Sequence, residues 1–205
     1  MNITRRQLLL LPLAVTACSS ANKRRRLPAG SRVSALGDSL TEGYGASSDT
    51  SYPTVLSQLT KWKISNDGIS GNKSIDILRR LPEIISKKPQ LILLGIGGND
   101  FLRLVPEKET ISNIKAIVKQ IKTSNIPLVL IAEPHFSVGA LLGNFSDHPL
   151  YREIASQENI PLLSNAWSDI LSDKKLKSDK IHANEIGYRI FAEKMRDFLK
   201  SEGFL

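Results

Sequence analysis

Cysteine is almost absent from this chain: Cys18 is the only one in 205 residues. A single thiol excludes an intramolecular disulfide. Histidine is scarce as well, with only His135, His148 and His182. So widely spaced, the three make no metal-ligand pattern, and a zinc hydrolase is not expected. Internal repeats and low-complexity tracts are missing. The formal charge of +8 is accompanied by no recognition-helix or RNA-binding motif, so nucleic acid is not an expected partner. The apolar run at residues 8–17 is about half the length needed to span a bilayer as a helix. What is present is an ordinary globular composition, 41% hydrophobic and 23% charged, enough for one domain and little more.

The first residues stand apart from that domain. Arg5 and Arg6 precede the short apolar run, the pattern of an export signal rather than of a membrane span. The run ends Val15-Thr16-Ala17-Cys18, which resembles a lipobox and implies that Cys18 becomes an acylated mature N-terminus. Thr4-Arg5-Arg6-Gln7-Leu8-Leu9 also resembles, more weakly, a twin-arginine signal. Residues 1–17 are therefore expected to be a signal peptide, and residues 18–30 a lipid-anchored tether. The tether is polar and carries Lys23, Arg24, Arg25 and Arg26, which suit anionic headgroups at about 1 kcal/mol each. The folded domain is expected over residues 31–205.

Within that domain short apolar runs alternate with amphipathic stretches. Strands are predicted at residues 32–36, 62–65, 91–94, 128–132 and 161–163. Helices are predicted at residues 51–59, from an N-cap at Ser74 to just before Pro89, at residues 110–123 and 150–158, and through Ile186, Ile190, Phe191, Met195 and Phe198. The runs 91–94 and 128–132 are continuously apolar, as in strands buried on both faces. Strand–helix alternation of this kind predicts an α/β fold, a three-layer α/β/α sandwich with a central parallel sheet. Open sheets of that type place their sites at the carboxyl ends of the strands.

Three glycine-bearing segments follow predicted strands: Gly37-Asp38-Ser39-Leu40, Gly68-Ile69-Ser70-Gly71-Asn72 and Gly97-Gly98-Asn99-Asp100. A fourth, Asp179-Lys180-Ile181-His182, precedes the last helix. Taken alone the third resembles a phosphate loop, but Asp100 stands where G-x-G-x-x-G needs its last glycine. Together the four blocks resemble those of the SGNH, or GDSL, hydrolases, whose name comes from Ser, Gly, Asn and His in this order. Ser39, Gly71, Asn99 and His182 match, and the resemblance covers about residues 33–198. The runs around Ser39 and Asn99 are similar to the arylesterase, thioesterase I and lysophospholipase branch. Lys180 and Ala183 depart from the family's usual Gly and Pro, at positions that carry no chemistry. The resemblance implies a flavodoxin-like SGNH hydrolase fold and no cofactor.

A serine hydroxyl needs a base to take its proton. Of the three histidines only His182 has a carboxylate three residues upstream, Asp179, close enough to fix the imidazole tautomer. His148 has Asp147 beside it, but adjacent side chains point apart. Ser39 is thus the expected nucleophile, with His182 and Asp179 as its base. The family resemblance assigns the oxyanion hole to the backbone amides of Ser39 and Gly71 and the side-chain amide of Asn99. Asp38 and Asp100 are expected to brace loop amides beside the site.

The expected function is hydrolysis of short- to medium-chain acyl esters through an acyl-enzyme on Ser39, by a monomer held on the periplasmic side of the cell envelope. Two alternatives stand beside it: a carbohydrate O-acetyl esterase, and a non-catalytic domain that binds an acylated ligand. Apolar residues in 136–145 are candidates for an acyl pocket or for core packing. Lys174, Lys175, Lys177 and Lys180 are candidates for attracting anionic substrates or for a solvated face.

Overall fold

The structure, a computed structural model, describes residues 26–135 and 143–205. Cys18, the expected signal peptide and most of the expected tether lie outside the described residues, as do Phe136, Val138, Ala140, Leu141 and Leu142. Among the described residues the chain forms strand β1 (Arg32–Gly37), helices α1 (Ser39–Glu42) and α2 (Tyr52–Thr60), β2 (Lys63–Gly68) and α3 (Ser74–Ser86). It continues through β3 (Leu91–Gly95), α4 (Gly98–Leu102), α5 (Glu107–Thr123), β4 (Leu128–Ile131) and α6 (Pro149–Glu158). It closes with β5 (Leu162–Leu163), α7 (Ala166–Ser172), a short 3-10 turn and α8 (Glu185–Ser201).

The strands make one sheet in the order β2-β1-β3-β4-β5, and every pairing is parallel. Alternate residues of the central strands feed two separate cores. Val33, Ala35, Leu91, Leu93, Val129 and Ile131 pack under α2, α7 and α8, with Trp167 stacked on Phe191 at 3.7 Å between ring centres. Leu36, Ile92, Leu94, Leu128 and Leu130 face α3, α5 and α6. Both faces are therefore covered, which is the predicted three-layer sandwich.

Some boundaries differ from the prediction for physical reasons. Ser74 is not the cap of α3: it is buried inside the first turn, and Lys73 caps instead, its amide donating to Asp76 Oδ2 at 3.0 Å. Strand β2 runs three residues further than its apolar pattern, because its hydrogen bonds to β1 continue to Gly68 although the side chains there are polar, Asn66 exposed and Asp67 accepting from the Ser34 and Ser65 hydroxyls. The expected tether also overlaps the domain. The Leu27 amide donates to the Phe204 carbonyl at 2.9 Å, and the Leu27 side chain packs against the α8 core.

The strand order sets the position of the site. From the centre the chain leaves β1 toward β2 on one side and β3 toward β4 on the other, so the sheet changes direction between β1 and β3. Ligands of open α/β sheets settle at the carboxyl side of such a switch point. Ser39 follows β1 and Asn99 follows β3, so the two residues straddle it.

Candidate active site

The first turn after β1 is tied by its own aspartate. The Asp38 Oδ1 accepts from the Leu40 amide at 3.0 Å, starting the one-turn helix α1 with Ser39 at its first position. This helix lies so close to the sheet that a Cβ on Gly37 would sit 2.2 Å from Thr41 Oγ1 and 2.4 Å from the Gly95 carbonyl oxygen. Glycine at position 37 is thus a packing requirement, and it brings the Ser39 hydroxyl to the sheet edge.

His182 arrives from the other end of the domain, on a loop pinned by a short bridge between Lys177 and Ala183. Its Nε2 lies 3.0 Å from Ser39 Oγ across a sequence separation of 143 residues. Its Nδ1 lies 2.7 Å from Asp179 Oδ2. The other carboxylate oxygen, Oδ1, accepts from the backbone amides of Ile181 and His182 at 2.8 Å each. Partial burial pushes the Asp179 carboxyl up, but the His182 ring and these two amides outweigh it and hold the group below the ordinary value of 3.8. The Tyr44 ring lies 4.5 Å from the imidazole, covering one face, and its own backbone carbonyl accepts from Tyr188 Oη at 2.8 Å. The ring is thus held by hydrogen bonds at both nitrogens and by packing on one face.

Gly71 sits on the loop after β2 with φ of +79°, a conformation open to glycine at little cost. Its place is fixed from below by Arg80, whose guanidinium donates to Asn72 Oδ1 at 3.0 Å, the Gly37 carbonyl at 3.0 Å and the Asp67 carbonyl at 2.7 Å. Among the described residues neither the Ser39 amide nor the Gly71 amide donates to a protein acceptor. Asn99 stands opposite, second in α4. Its Nδ2 donates to Asp38 Oδ2 and to the Asn72 carbonyl, at 3.1 Å each.

The remaining acids brace rather than face the hydroxyl. Asp100 is buried and accepts from the Ser74 amide at 2.8 Å and the Ser74 hydroxyl at 2.5 Å, tying α4 to α3. Asp38 is equally buried, and burial above all raises its carboxyl to about 7 against the bonds from Leu40 and Asn99. Asp147 does not pair with His148: it accepts from the Asn165 amide and the Ser168 hydroxyl. His148 instead caps α6, its Nδ1 accepting from the Leu150 amide at 3.3 Å, and burial lowers its pKa. Lys174, Lys175 and Lys180 are exposed, while Lys177 places its ammonium 4.9 Å from the Phe145 ring centre. Among the described residues no group of three or more His, Cys, Asp or Glu side chains is arranged to hold a metal ion.

The four blocks read from the sequence therefore meet at one edge of the sheet. Four contributors escaped that reading: Tyr44, Arg80, Tyr188 and Glu133, the last accepting from the Gly98 amide at 2.5 Å. Only Glu133 leaves a visible sequence signal, an acid directly after the apolar run of β4.

The chain is similar to known hydrolases over most of its length. It is 29% identical over 177 residues to the thioesterase 1/protease 1/lysophospholipase L1 of Escherichia coli K12, covering 83% of this chain and 84% of that protein. It is 28% identical over 165 residues to an arylesterase of Vibrio mimicus, covering 75% of this chain and 78% of that protein. The esterase EstA of Pseudoalteromonas sp. shares the fold, with a TM-score of 0.71 and 24% identity over 83% of this chain and 97% of that one. Residues 35–190 match the model of the GDSL-like lipase/acylhydrolase family. With that span matched and serine, imidazole and carboxylate in line at the sheet edge, the chain belongs to the GDSL-like lipase/acylhydrolase family and is a hydrolase of ester bonds.

Proposed function

We propose that Ser39 is the nucleophile of an esterase acting on short- to medium-chain acyl esters by a two-step route. The observation that carries this is the continuous contact from Ser39 Oγ to His182 Nε2 at 3.0 Å and from His182 Nδ1 to Asp179 at 2.7 Å. In the first step Ser39 Oγ attacks the ester carbonyl as its proton passes to His182 Nε2. Asp179 holds the Nδ1 proton and balances the imidazolium that forms. The tetrahedral oxyanion is received by the Ser39 and Gly71 amides and by Asn99 Nδ2. When it collapses, the alcohol leaves with the proton from His182, and the acyl group stays on Ser39. Water then attacks the acyl-enzyme by the same steps, releasing the acid and restoring the serine.

Asn99 enters this scheme with its two amide hydrogens already shared between Asp38 and the Asn72 carbonyl. The oxyanion is a third acceptor, and over the neutral Asn72 carbonyl it is the stronger one because it carries developing charge. The Ser39 and Gly71 amides have no such competitor among the described residues.

The acyl preference is supported by the surroundings. Tyr44 is 54% exposed, Ile69 48%, Leu102 42% and Leu104 89%; Tyr44 and Ile69 stand on the segments after α1 and β2, and Leu102 and Leu104 at the end of α4 and just beyond it. Solvent-facing apolar side chains so placed suit an acyl chain. The names of the relatives from Escherichia coli and Vibrio mimicus point the same way, toward aryl, thio and lysophospholipid esters.

Acylation of Cys18 and display on the periplasmic side of the cell envelope complete the proposal, and rest on the lipobox-like sequence. Mass spectrometry of the mature N-terminus tests the anchor: a diacylglyceryl-modified Cys18 is expected, and an unmodified or differently placed terminus removes it. For the chemistry, p-nitrophenyl esters of increasing chain length are offered to wild type and Ser39→Ala. Turnover of short and medium chains by the wild type alone is expected. Activity that survives the substitution would falsify the nucleophile assignment. A strict acetyl preference moves the reading to a carbohydrate O-acetyl esterase, and a wild type that binds but turns over no ester moves it to a binding domain.

A further inference from the structure

One buried acid takes no part in the scheme above. Glu133 lies two residues after the end of β4 and is 1% exposed, against the turn that leads into α4. A carboxyl group in such a place is costly unless its oxygens are bonded. Its Oε2 accepts from the Gly98 amide at 2.5 Å, and its backbone carbonyl accepts from the His148 amide at 3.1 Å. Gly98 is the residue immediately before Asn99.

The two residues before Gly98 are held as well. Tyr151 Oη donates to the Ile96 carbonyl at 2.9 Å. The same hydroxyl lies 2.6 Å from where a Cβ on Gly97 would be, and Gly97 has φ of +127°. The chain therefore makes its turn against Tyr151 and Glu133 with no room for a side chain at position 97. Helix α4 has five residues, too few for its own hydrogen bonds to fix its direction. Its orientation must come from outside: Asp100 ties it to α3 through Ser74, and at its start the holding contacts are Glu133 and Tyr151.

We infer that Glu133 is a positioning residue for ester hydrolysis: by holding the Gly98 amide it sets the angle at which Asn99 presents its side-chain amide to the oxyanion. This rests on the reading of Asn99 as an oxyanion donor. The part the Glu133 carboxyl plays here is to accept from the Gly98 amide. Burial above all, and then the nearby Asp38, raise it well above the ordinary carboxyl range, against the pull of the Gly98 bond. Glutamine offers an acceptor at the same reach, whereas leucine offers none.

The test uses the full chain and p-nitrophenyl acetate, with kcat and KM measured for Glu133→Gln, Glu133→Leu, Asn99→Ala and the Glu133→Leu/Asn99→Ala pair, each well below its own unfolding temperature. Glu133→Gln should stay within roughly threefold of wild type in kcat, and Glu133→Leu should fall by roughly 10- to 100-fold at near-constant KM, a part of what one oxyanion donor contributes. In the Asn99→Ala background the leucine change should cost nothing further. An undiminished kcat in Glu133→Leu, an equal loss in both backgrounds, or a glutamine variant as impaired as leucine would each overturn the inference. If Asn99→Ala itself leaves kcat unchanged, the oxyanion reading fails and the inference falls with it. Should the leucine variant not fold, the wild-type Gly98 amide proton is read by NMR: a strongly downfield resonance that moves in Glu133→Gln is expected, and a random-coil position refutes the bond.

Discussion

Replacing Asp179 by asparagine isolates what its carboxylate does for His182. The variant keeps Oδ1, which accepts the Ile181 and His182 amides at 2.8 Å each, so the loop retains its shape. It exchanges the oxygen 2.7 Å from Nδ1 for an NH2 group, which cannot accept the ring proton and favours the wrong tautomer. It also removes the negative charge beside the imidazolium that forms as Ser39 attacks. At the 2.7 Å contact the Coulomb attraction is about 1.5 kcal/mol in bulk water and about 6 kcal/mol at an effective dielectric of 20. The Asp179 side chain is 44% exposed, which places the pair nearer the aqueous limit. About 3 kcal/mol then applies, a roughly 100- to 200-fold loss in kcat. That is less than the roughly ten-thousand-fold loss known for a fully buried triad aspartate. Steady-state hydrolysis of p-nitrophenyl acetate, with circular dichroism to confirm the fold, measures it. A loss under about fivefold in a folded variant would refute the argument, since it lies below even the roughly 13-fold that full aqueous screening leaves.

Two further outcomes follow from the same geometry. Alanine at Gly97 combines a φ of +127° with a Cβ 2.6 Å from Tyr151 Oη, whereas Gly203 has φ of +78° and nothing within 4 Å. Thermal unfolding should show Gly203→Ala lowered by roughly 2–4 °C and Gly97→Ala by clearly more, from about 1 kcal/mol of strain in the first and strain plus overlap in the second; equal shifts would contradict the packing. For pH, the Asp38 carboxyl is raised from 3.8 to about 7 by burial, so the folded state holds a proton that the unfolded state has lost. The stability this provides is complete below pH 3.8 and is lost as pH rises through about 7. Asp179 is displaced the other way, so its contribution is present above 3.8 and is lost only in stronger acid. The unfolding free energy from urea titrations should therefore fall between pH 4 and pH 7 by an amount on the order of a few kcal/mol, and Asp38→Asn should lessen that slope, to which Glu133 also contributes; a wild-type value that rises across the window would contradict it.

What the sequence made legible tracks what is local. Strands β3 and β4 stand out because Leu91, Ile92, Leu93, Leu94, Val129, Leu130 and Ile131 are buried on both faces of the sheet, leaving unbroken apolar runs. Asp179 and His182 stand out because a loop spacing of three lets one side chain reach the other. The one-turn helices α1 and α4 were not visible, since neither has an apolar period. They form because Asp38 and Glu133 accept amides at their starts. Helix α7 was missed for a similar reason: it is short, and Trp167 docks it by stacking on Phe191, a contact made only in the folded chain. Arg80 illustrates the same limit. Nothing near it in sequence announces that its guanidinium will bridge Gly37, Asp67 and Asn72 and so hold the loops after β1 and β2 together.

The central claim is that Ser39 Oγ, 3.0 Å from His182 Nε2, is the atom that carries the acyl group. An activated p-nitrophenyl alkylphosphonate tests this directly, since attack on phosphorus forms a stable adduct resembling the tetrahedral intermediate. Intact-mass and peptide mapping of the full chain should show one phosphonyl group on the peptide containing Ser39, slow labelling in His182→Ala and none in Ser39→Ala. A label on any other residue, or sustained ester hydrolysis by a chain that takes no label, would contradict the account.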